Sequence, residues 1–148
     1  MSVLPRPPSS PAEWEAYFDL RWRMLRHPWG QPRGSERDSL EETAIHLLIT
    51  DNAGSALACG RLHLNSPTEA QVRYMAVDDS VQGQGYGSAI LTALEAEAQR
   101  FGASRIILNA RDNAIKFYEK HGYTVVEEAD TLFGAVRHVR MQKSMVRG

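Results

Sequence analysis

A single cysteine, Cys59, is all that the 148-residue chain holds, which excludes an internal disulfide and any multi-cysteine metal cage. It sits in Ala56-Leu57-Ala58-Cys59-Gly60, an apolar strand-like run, and reads there as a small buried residue. An excess of charge is equally missing. Seventeen basic against eighteen acidic residues give a net charge of -1, which excludes the basic footprint of a nucleic-acid binder. No apolar run is long enough to span a bilayer, and no basic segment followed by an apolar core opens the chain, so a cytoplasmic protein without a membrane partner is expected. Repeats and low-complexity tracts are absent too. What is present is 43% hydrophobic and 24% charged, enough for one domain over residues 1–148 to bury a core of its own without a metal.

Pro5, Pro7, Pro8 and Pro11 make residues 1–10 an extended lead-in with room for at most a short edge strand near Val3-Leu4. Ser10-Pro11-Ala12-Glu13 has the form of a capping box with proline at the first helical position. In the helix that follows, Trp14, Tyr17, Phe18, Trp22 and Leu25 make an aromatic face for the core, with Arg21, Arg23 and Arg26 as cationic side chains. Two prolines and two glycines force His27 to Ser35 into a loop that exposes Trp29. Glu36 to Glu42 reads as a short charged turn of helix, with Asp38, Glu41 and Glu42 either solvated or facing a substrate.

From Ala44 the period shortens to that of strands. Ala44 to Thr50, Ala56 to Leu64 and Glu69 to Val77 form a meander. Behind a glycine-rich loop, Ile90, Leu91, Leu94, Ala98 and Phe101 form the stripe of a helix stopped by Gly102. Arg105 to Ala110 reads as a buried central strand. Asp112 or Asn113 caps a short helix through Phe117 and Tyr118, ended by Gly122, and Tyr123 to Glu128 and Ala135 to Lys143 complete the sheet. The expected class is α/β, a mixed and mostly antiparallel sheet flanked by helices.

The loop Gln82-Gly83-Gln84-Gly85-Tyr86-Gly87-Ser88 joins a strand to a helix, where unpaired N–H groups and the helix dipole favour an anion. A phosphate is the expected guest. A Walker loop needs lysine after the last glycine, and here Ser88 follows directly. A dinucleotide fold needs an acid about twenty positions on and a leading strand, where this chain has Leu108-Asn109-Ala110-Arg111 and a meander. The third pattern, Gln-x-x-Gly-x-Gly, is met in full by Gln82 to Gly87.

Here the chain resembles the GNAT family of N-acetyltransferases. Arg73-Tyr74-Met75-Ala76-Val77 looks like the strand before the family's pyrophosphate loop, and Ala114-Ile115-Lys116-Phe117-Tyr118 through Tyr123 is similar to its later helix and turn. The likeness covers roughly residues 44–143. Ile107 to Ala110 and Arg137 to Met141 look most like the ElaA-like and YjcF-like bacterial branch. The resemblance implies a V-shaped splay between the family's fourth and fifth strands, here Glu69 to Val77 and Arg105 to Ala110. It also implies an N-acetyltransferase that takes acetyl-CoA as cosubstrate, uses no metal, and acetylates a primary amine of a small molecule or peptide by direct attack. A homodimer is compatible with it. A non-catalytic acyl-CoA-binding module is the alternative, and would release no thiol with any amine.

Carried onto this sequence, the resemblance assigns coenzyme A to Met75, Val77, Gln82, Gly83, Gln84, Gly85, Tyr86, Gly87 and Ser88. Asn109 or Asn113 would add a contact, since Arg111 stands where many members carry asparagine. The backbone amide of Val77 would polarise the thioester carbonyl, a fixed donor aimed at developing charge. Tyr118 is the implied acid, and full proton transfer from a phenol of pKa about 10 to a thiolate of about 8.5 is uphill by roughly 2 kcal/mol. Tyr118 is therefore read as a hydrogen-bonding acid. A lysine-like amine costs about 4.6 kcal/mol to deprotonate at neutral pH, so a base is expected, from among Glu41, Glu42, His63, Tyr74 and His138. His138 matches a histidine common in the branch named above. The Trp29 loop, Glu36 to Glu42 and Asp130 to His138 are the expected walls for the acceptor.

Overall fold

The computed structural model describes residues 4–145. Helix α1 (Pro11–Leu25) is followed by strands β1 (Ile45–Thr50), β2 (Ala56–Ser66) and β3 (Glu69–Val77), helix α2 (Tyr86–Arg100), strand β4 (Arg105–Arg111), helix α3 (Ile115–Lys120), and strands β5 (Thr124–Glu128) and β6 (His138–Ser144). The six strands form one sheet in the order β1-β2-β3-β4-β6-β5, antiparallel throughout except for β3 beside β4. This is the expected mixed, mostly antiparallel architecture.

Local chemistry explains most boundaries. The Ser10 hydroxyl accepts from the Glu13 N–H at 3.1 Å, as the capping box requires, but the Glu13 carboxylate reaches past Ser10 to the N–H of Ser9 at 2.9 Å and pairs with Arg6. Asp51 closes the β1–β2 turn by accepting from the N–H groups of Ala53 and Ser55, both at 2.9 Å. Gly102 and Gly122 end their helices at φ 82° and 92°.

Two apolar clusters cover the two faces of the sheet. Ile90, Leu91, Leu94 and Ala98 of α2 pack with Ala58, Leu62, Val72, Ile106 and Leu108, whereas Tyr17 and Leu20 of α1 pack with Leu48, Cys59 and Ala76. Cys59 is fully buried, and burial pushes its thiol up to about 12. Helix α2 lies so close to β2 that a Cβ on Gly60 would stand 2.6 Å from Ile90 Cγ2.

Several expectations are corrected. Val3 lies outside the described residues and Leu4 is exposed, so the edge contact is a single bridge between Arg6 and Leu48. Glu36 to Glu42 forms hydrogen-bonded turns, not helix. Neither Asp112 nor Asn113 caps α3; both lie in a 3-10 turn, and Ala114 is the residue before the helix. Phe101 leaves the stripe because α2 ends at Arg100, and it is 52% exposed. The last strand starts at His138, since Phe133 and Gly134 adopt φ 54° and 67° in a tight turn bridged by Leu132 and Val136.

Candidate active site

Strands β3 and β4 pair over only four positions, from Glu69↔Arg105 to Val72↔Leu108. Beyond them β3 runs on through Val77 and β4 through Arg111, each without the other. This is the expected splay, and a cleft of about 880 Å³ opens in it, a volume in the usual range for ligand sites.

A bulge gives β3 its shape at the cleft. Arg73 faces Arg61 and Ala76 faces Cys59, so Tyr74 and Met75 together stand opposite Gly60. The extra residue inverts the strand: Ala70 and Val72 join the α2 cluster before it, Met75 and Val77 after it, while Ala76 turns to α1. Tyr74 adopts φ 57°, a costly conformation for a residue with a side chain. The Asp78 N–H donates to the Leu57 carbonyl at 2.8 Å, which makes Val77 and Ala58 a non-hydrogen-bonded pair. The Val77 N–H therefore faces away from β2, into the gap. The Val77 carbonyl accepts from Gln82 Nε2 at 2.7 Å, so the Gln82 side chain ties the loop to the end of β3.

The loop then turns on two left-handed glycines, Gly83 at φ 76° and Gly85 at 88°. Gly85 precedes α2, and the first helical bond runs from Ala89 N–H to the Gly85 carbonyl at 3.0 Å. The N–H groups of Tyr86, Gly87 and Ser88 thus have no partner within the helix, and neither a side-chain cap nor an acid in the first turn competes for them. Free N–H groups at the start of a fifteen-residue helix are the kind of arrangement that suits an anion. Gly87 packs at 3.4 Å from both Phe117 and Val77, and Ser88 Oγ meets His121 Nε2 at 3.0 Å, fixing α3 to the start of α2. Met75, Val77, Gln82, Gly83, Gly85, Tyr86, Gly87, Ser88, Asn109, Asn113, Tyr118 and His138 all line the cleft. Gln84 does not; it points to solvent.

Tyr118 is buried with its ring against Phe117 and Tyr123, and its hydroxyl donates to no protein atom among the described residues. Burial pushes the phenol up to about 12, against a lowering by Arg111, so it is protonated at neutral pH. His138 faces Arg111 across β4 and β6. Its Nδ1 lies 2.9 Å from the Val136 carbonyl, which can only accept, so Nδ1 carries the proton and Nε2 is left as the basic nitrogen. Burial holds the imidazole below its ordinary range, the Val136 bond opposes that, and Arg111 and Arg26 add to it.

Three of the four other base candidates separate from the cleft. Glu41, Glu42 and His63 do not line it, and neither does any residue of Glu36 to Glu42, which is therefore not an acceptor wall. Charge pairing beneath the sheet is the reason. Arg61, with a fully buried side chain, grips Asp38 at 2.6 and 2.9 Å and Glu41 at 3.0 Å and meets His63 at 3.2 Å; Arg21, equally buried, holds Glu41 at 3.0 Å. Asp38 also accepts from Arg73, and the Arg61 hydrogen bond leads the causes that hold its carboxyl far below the usual range. Tyr74 lines the cleft, but its ring lies 4.3 to 5.5 Å from the guanidinium carbons of Arg21, Arg73, Arg61 and Arg26. Trp29, Asp130, Leu132, Phe133 and His138 do form walls. Sequence reasoning gave no site role to Arg26, Arg61, Arg111 or His121. The available signal for Arg61 was a charge inside the apolar run Cys59-Gly60-Arg61-Leu62.

Comparison with known proteins agrees with this geometry. Residues 14–123 match the model of the Acetyltransferase (GNAT) family. The uncharacterized N-acetyltransferase YjcF of Bacillus subtilis (strain 168) is 34% identical over 126 residues, covering 85% of this chain and 89% of that protein. Among solved structures, Escherichia coli ElaA superposes with a TM-score of 0.82 at 15% identity, over 97% of this chain and 100% of its own. An aminoglycoside 6'-N-acetyltransferase complexed with coenzyme A gives 0.81 at 17% identity, over 100% and 99%.

Proposed function

The chain belongs to the GNAT acetyltransferase family, in its YjcF-like and ElaA-like branch, and from that membership we propose that it moves an acetyl group from acetyl-CoA to a primary amine of a small molecule or peptide, in the bacterial cytoplasm. The observation that carries this reading is the convergence on one cleft of three kinds of group. Unpaired N–H groups at the start of α2 suit a pyrophosphate, the Val77 N–H turned into the gap suits a thioester carbonyl, and a protonated Tyr118 suits a leaving thiolate.

In this proposal Met75 and Val77 pair their backbone with the pantetheine arm along the free edge of β3. Asn109 and Asn113, both on the cleft wall, add polar contacts to it. The Val77 amide holds the negative charge that develops on the carbonyl oxygen. His138 Nε2 accepts the proton of the incoming ammonium, directly or through water, and Tyr118 donates a hydrogen bond to the sulfur as it leaves. The amine attacks the carbonyl carbon directly, and no covalent enzyme intermediate is involved.

Calorimetric titration with acetyl-CoA, followed by thiol release over a panel of primary amines, tests this. Binding with amine-dependent release is the expected result. No heat at millimolar acetyl-CoA overturns the reading altogether, whereas binding without release from any amine makes the protein a non-catalytic acyl-CoA-binding module.

A further inference from the structure

Every arginine among the described residues makes an ion pair with a carboxylate within 4.0 Å, except two. The exceptions are Arg26 and Arg111, and both line the cleft. Neither is a fully exposed surface residue: Arg26 is only 9% exposed and Arg111 is half-buried. An ion taken out of water without a counter-ion is costly, so two such groups side by side demand an explanation.

Their protein partners are neutral. Arg26 donates through Nε to the Ser35 carbonyl and through Nη1 to the Leu25 carbonyl, both at 3.0 Å, with its guanidinium near the rings of Tyr74 and Phe133. Arg111 donates through Nη2 to the Met24 carbonyl at 3.4 Å, and its Nε and Nη1 meet no protein acceptor among the described residues. Those free donors are not sealed in, since among the described residues the only buried unpartnered side-chain nitrogens are on Arg21 and Arg61. The Arg26 charge lies close enough to oppose that of Arg111, with burial the larger cause of the lowering at Arg111. Asp130 is the one carboxylate on the cleft wall, and it is exposed. Asp112 sits near His138 but off the cleft.

The position of the pair decides which ligand it serves. Arg26 follows α1 and Arg111 ends β4 opposite His138, on walls built from α1, β4 and residues 130–138, not from the loop at Gln82 to Ser88. We propose that the acceptor amine carries a carboxylate, as an amino acid or a longer amino-carboxylic acid does, and that Arg26 and Arg111 together bind that carboxylate while the amine is presented to His138. The inference rests on the acetyl-transfer reading above and names its substrate class.

The test compares matched amines in three forms, free acid, carboxamide and methyl ester, by thiol release with the wild-type protein. The acids are expected to exceed their neutral forms in kcat/KM by about 10-fold or more, the scale of one charge-assisted hydrogen bond. In Arg26→Gln and Arg111→Gln the ratio of acid to carboxamide should fall towards one, whatever happens to the absolute rate; a purely structural role would slow all three forms alike. Carboxamides, esters or diamines used as well as the acids by the wild type would overturn the proposal. Should no amine of any charge release thiol, the acetyl-transfer reading fails first. The carboxylate site is then judged by calorimetry on the protein saturated with coenzyme A, where an amino-carboxylic acid should bind and its carboxamide should not, and equal heats, or none, refute it.

Discussion

Replacing Tyr118 by phenylalanine removes one oxygen and little else. The ring keeps its contacts with Phe117, at a centroid distance of 5.1 Å, and with Tyr123, at 5.9 Å. Because the hydroxyl donates to no protein atom among the described residues, no buried partner is left unsatisfied. Stability should change by less than about 1 kcal/mol, or roughly 4 °C in Tm for a domain of this size. Catalysis should change far more. With the phenol pushed up to about 12, complete proton transfer to a thiolate of about 8.5 runs uphill by roughly 5 kcal/mol, so the role proposed for Tyr118 is that of a hydrogen-bond donor to developing charge. Such a bond is worth about 1.5–3 kcal/mol, which corresponds to a kcat lower by about 10- to 150-fold. The KM for acetyl-CoA should stay within about twofold, since the bond strengthens only as the sulfur leaves. Continuous thiol release and a thermal melt measure both quantities. A kcat within threefold of wild type refutes the acid role, and a large fall in Tm would show that the oxygen serves packing.

His138→Gln should lower kcat/KM by about 10²-fold or more and remove its acid limb. In the wild type that limb should fall below the ordinary histidine value of about 6.5, because burial favours the neutral ring and activity is lost only as pH drops through the depressed value. A limb that persists in the variant rules out His138 as the base. Gly85→Val meets no atom within 4 Å of its new Cβ, but φ is 88°, so the backbone pays about 1–2 kcal/mol and the side chain crowds the anion site. The protein should fold and bind acetyl-CoA at least 100-fold more weakly by calorimetry; unchanged affinity would remove the loop from the cofactor site. Arg61→Met should cost about 3–5 kcal/mol in urea denaturation, because Asp38 and Glu41 lose a buried partner. A loss under about 1 kcal/mol would mean that the ion cluster is not structural.

What could be read from the chain follows the range of the interactions involved. The meander, the αL glycines at 83 and 85 and the α2 stripe rest on contacts within a few residues, and they appear where propensity and spacing put them. The uncapped start of α2 is equally local, built from Gly85 and the three residues after it. By contrast, the ion cluster joins Arg21, Asp38, Glu41, Arg61 and Arg73, which are up to 52 residues apart in the numbering and carry no shared period. Glu41 and His63 therefore stand beside His138 as base candidates, His138 being set apart only by a family histidine, and the fold separates the first two from the cleft. Asp38 and Glu41 read as solvated or substrate-facing because nothing in the spacing ties them to Arg21, Arg61 and Arg73. Arg111 was noticed for the asparagine it replaces, a comparison that says nothing of its missing counter-ion.

The ion cluster also bears on the chemistry, through Tyr74. A tyrosine at φ 57° is strained, and such strain persists only where the surroundings over-determine it. Here guanidinium carbons of Arg21, Arg73 and Arg61 stand 4.3, 4.6 and 4.9 Å from the ring centroid, and those cations are held in turn by Asp38 and Glu41. The side chains of Arg21 and Arg61 are buried, and a desolvated cation–π contact is worth about 2 kcal/mol, whereas the more exposed Arg73 adds about 0.5–1 kcal/mol. The buried pair is enough to offset a left-handed backbone costing about 1–2 kcal/mol. Without the bulge Val77 would keep the facing of a regular strand, and its N–H would turn into the β2 pairing. The acids of residues 38–41 thus act on the Val77 amide, the proposed thioester contact, without touching it. They hold the arginines that hold the ring, and the ring holds the one strand inversion that leaves the Val77 amide free.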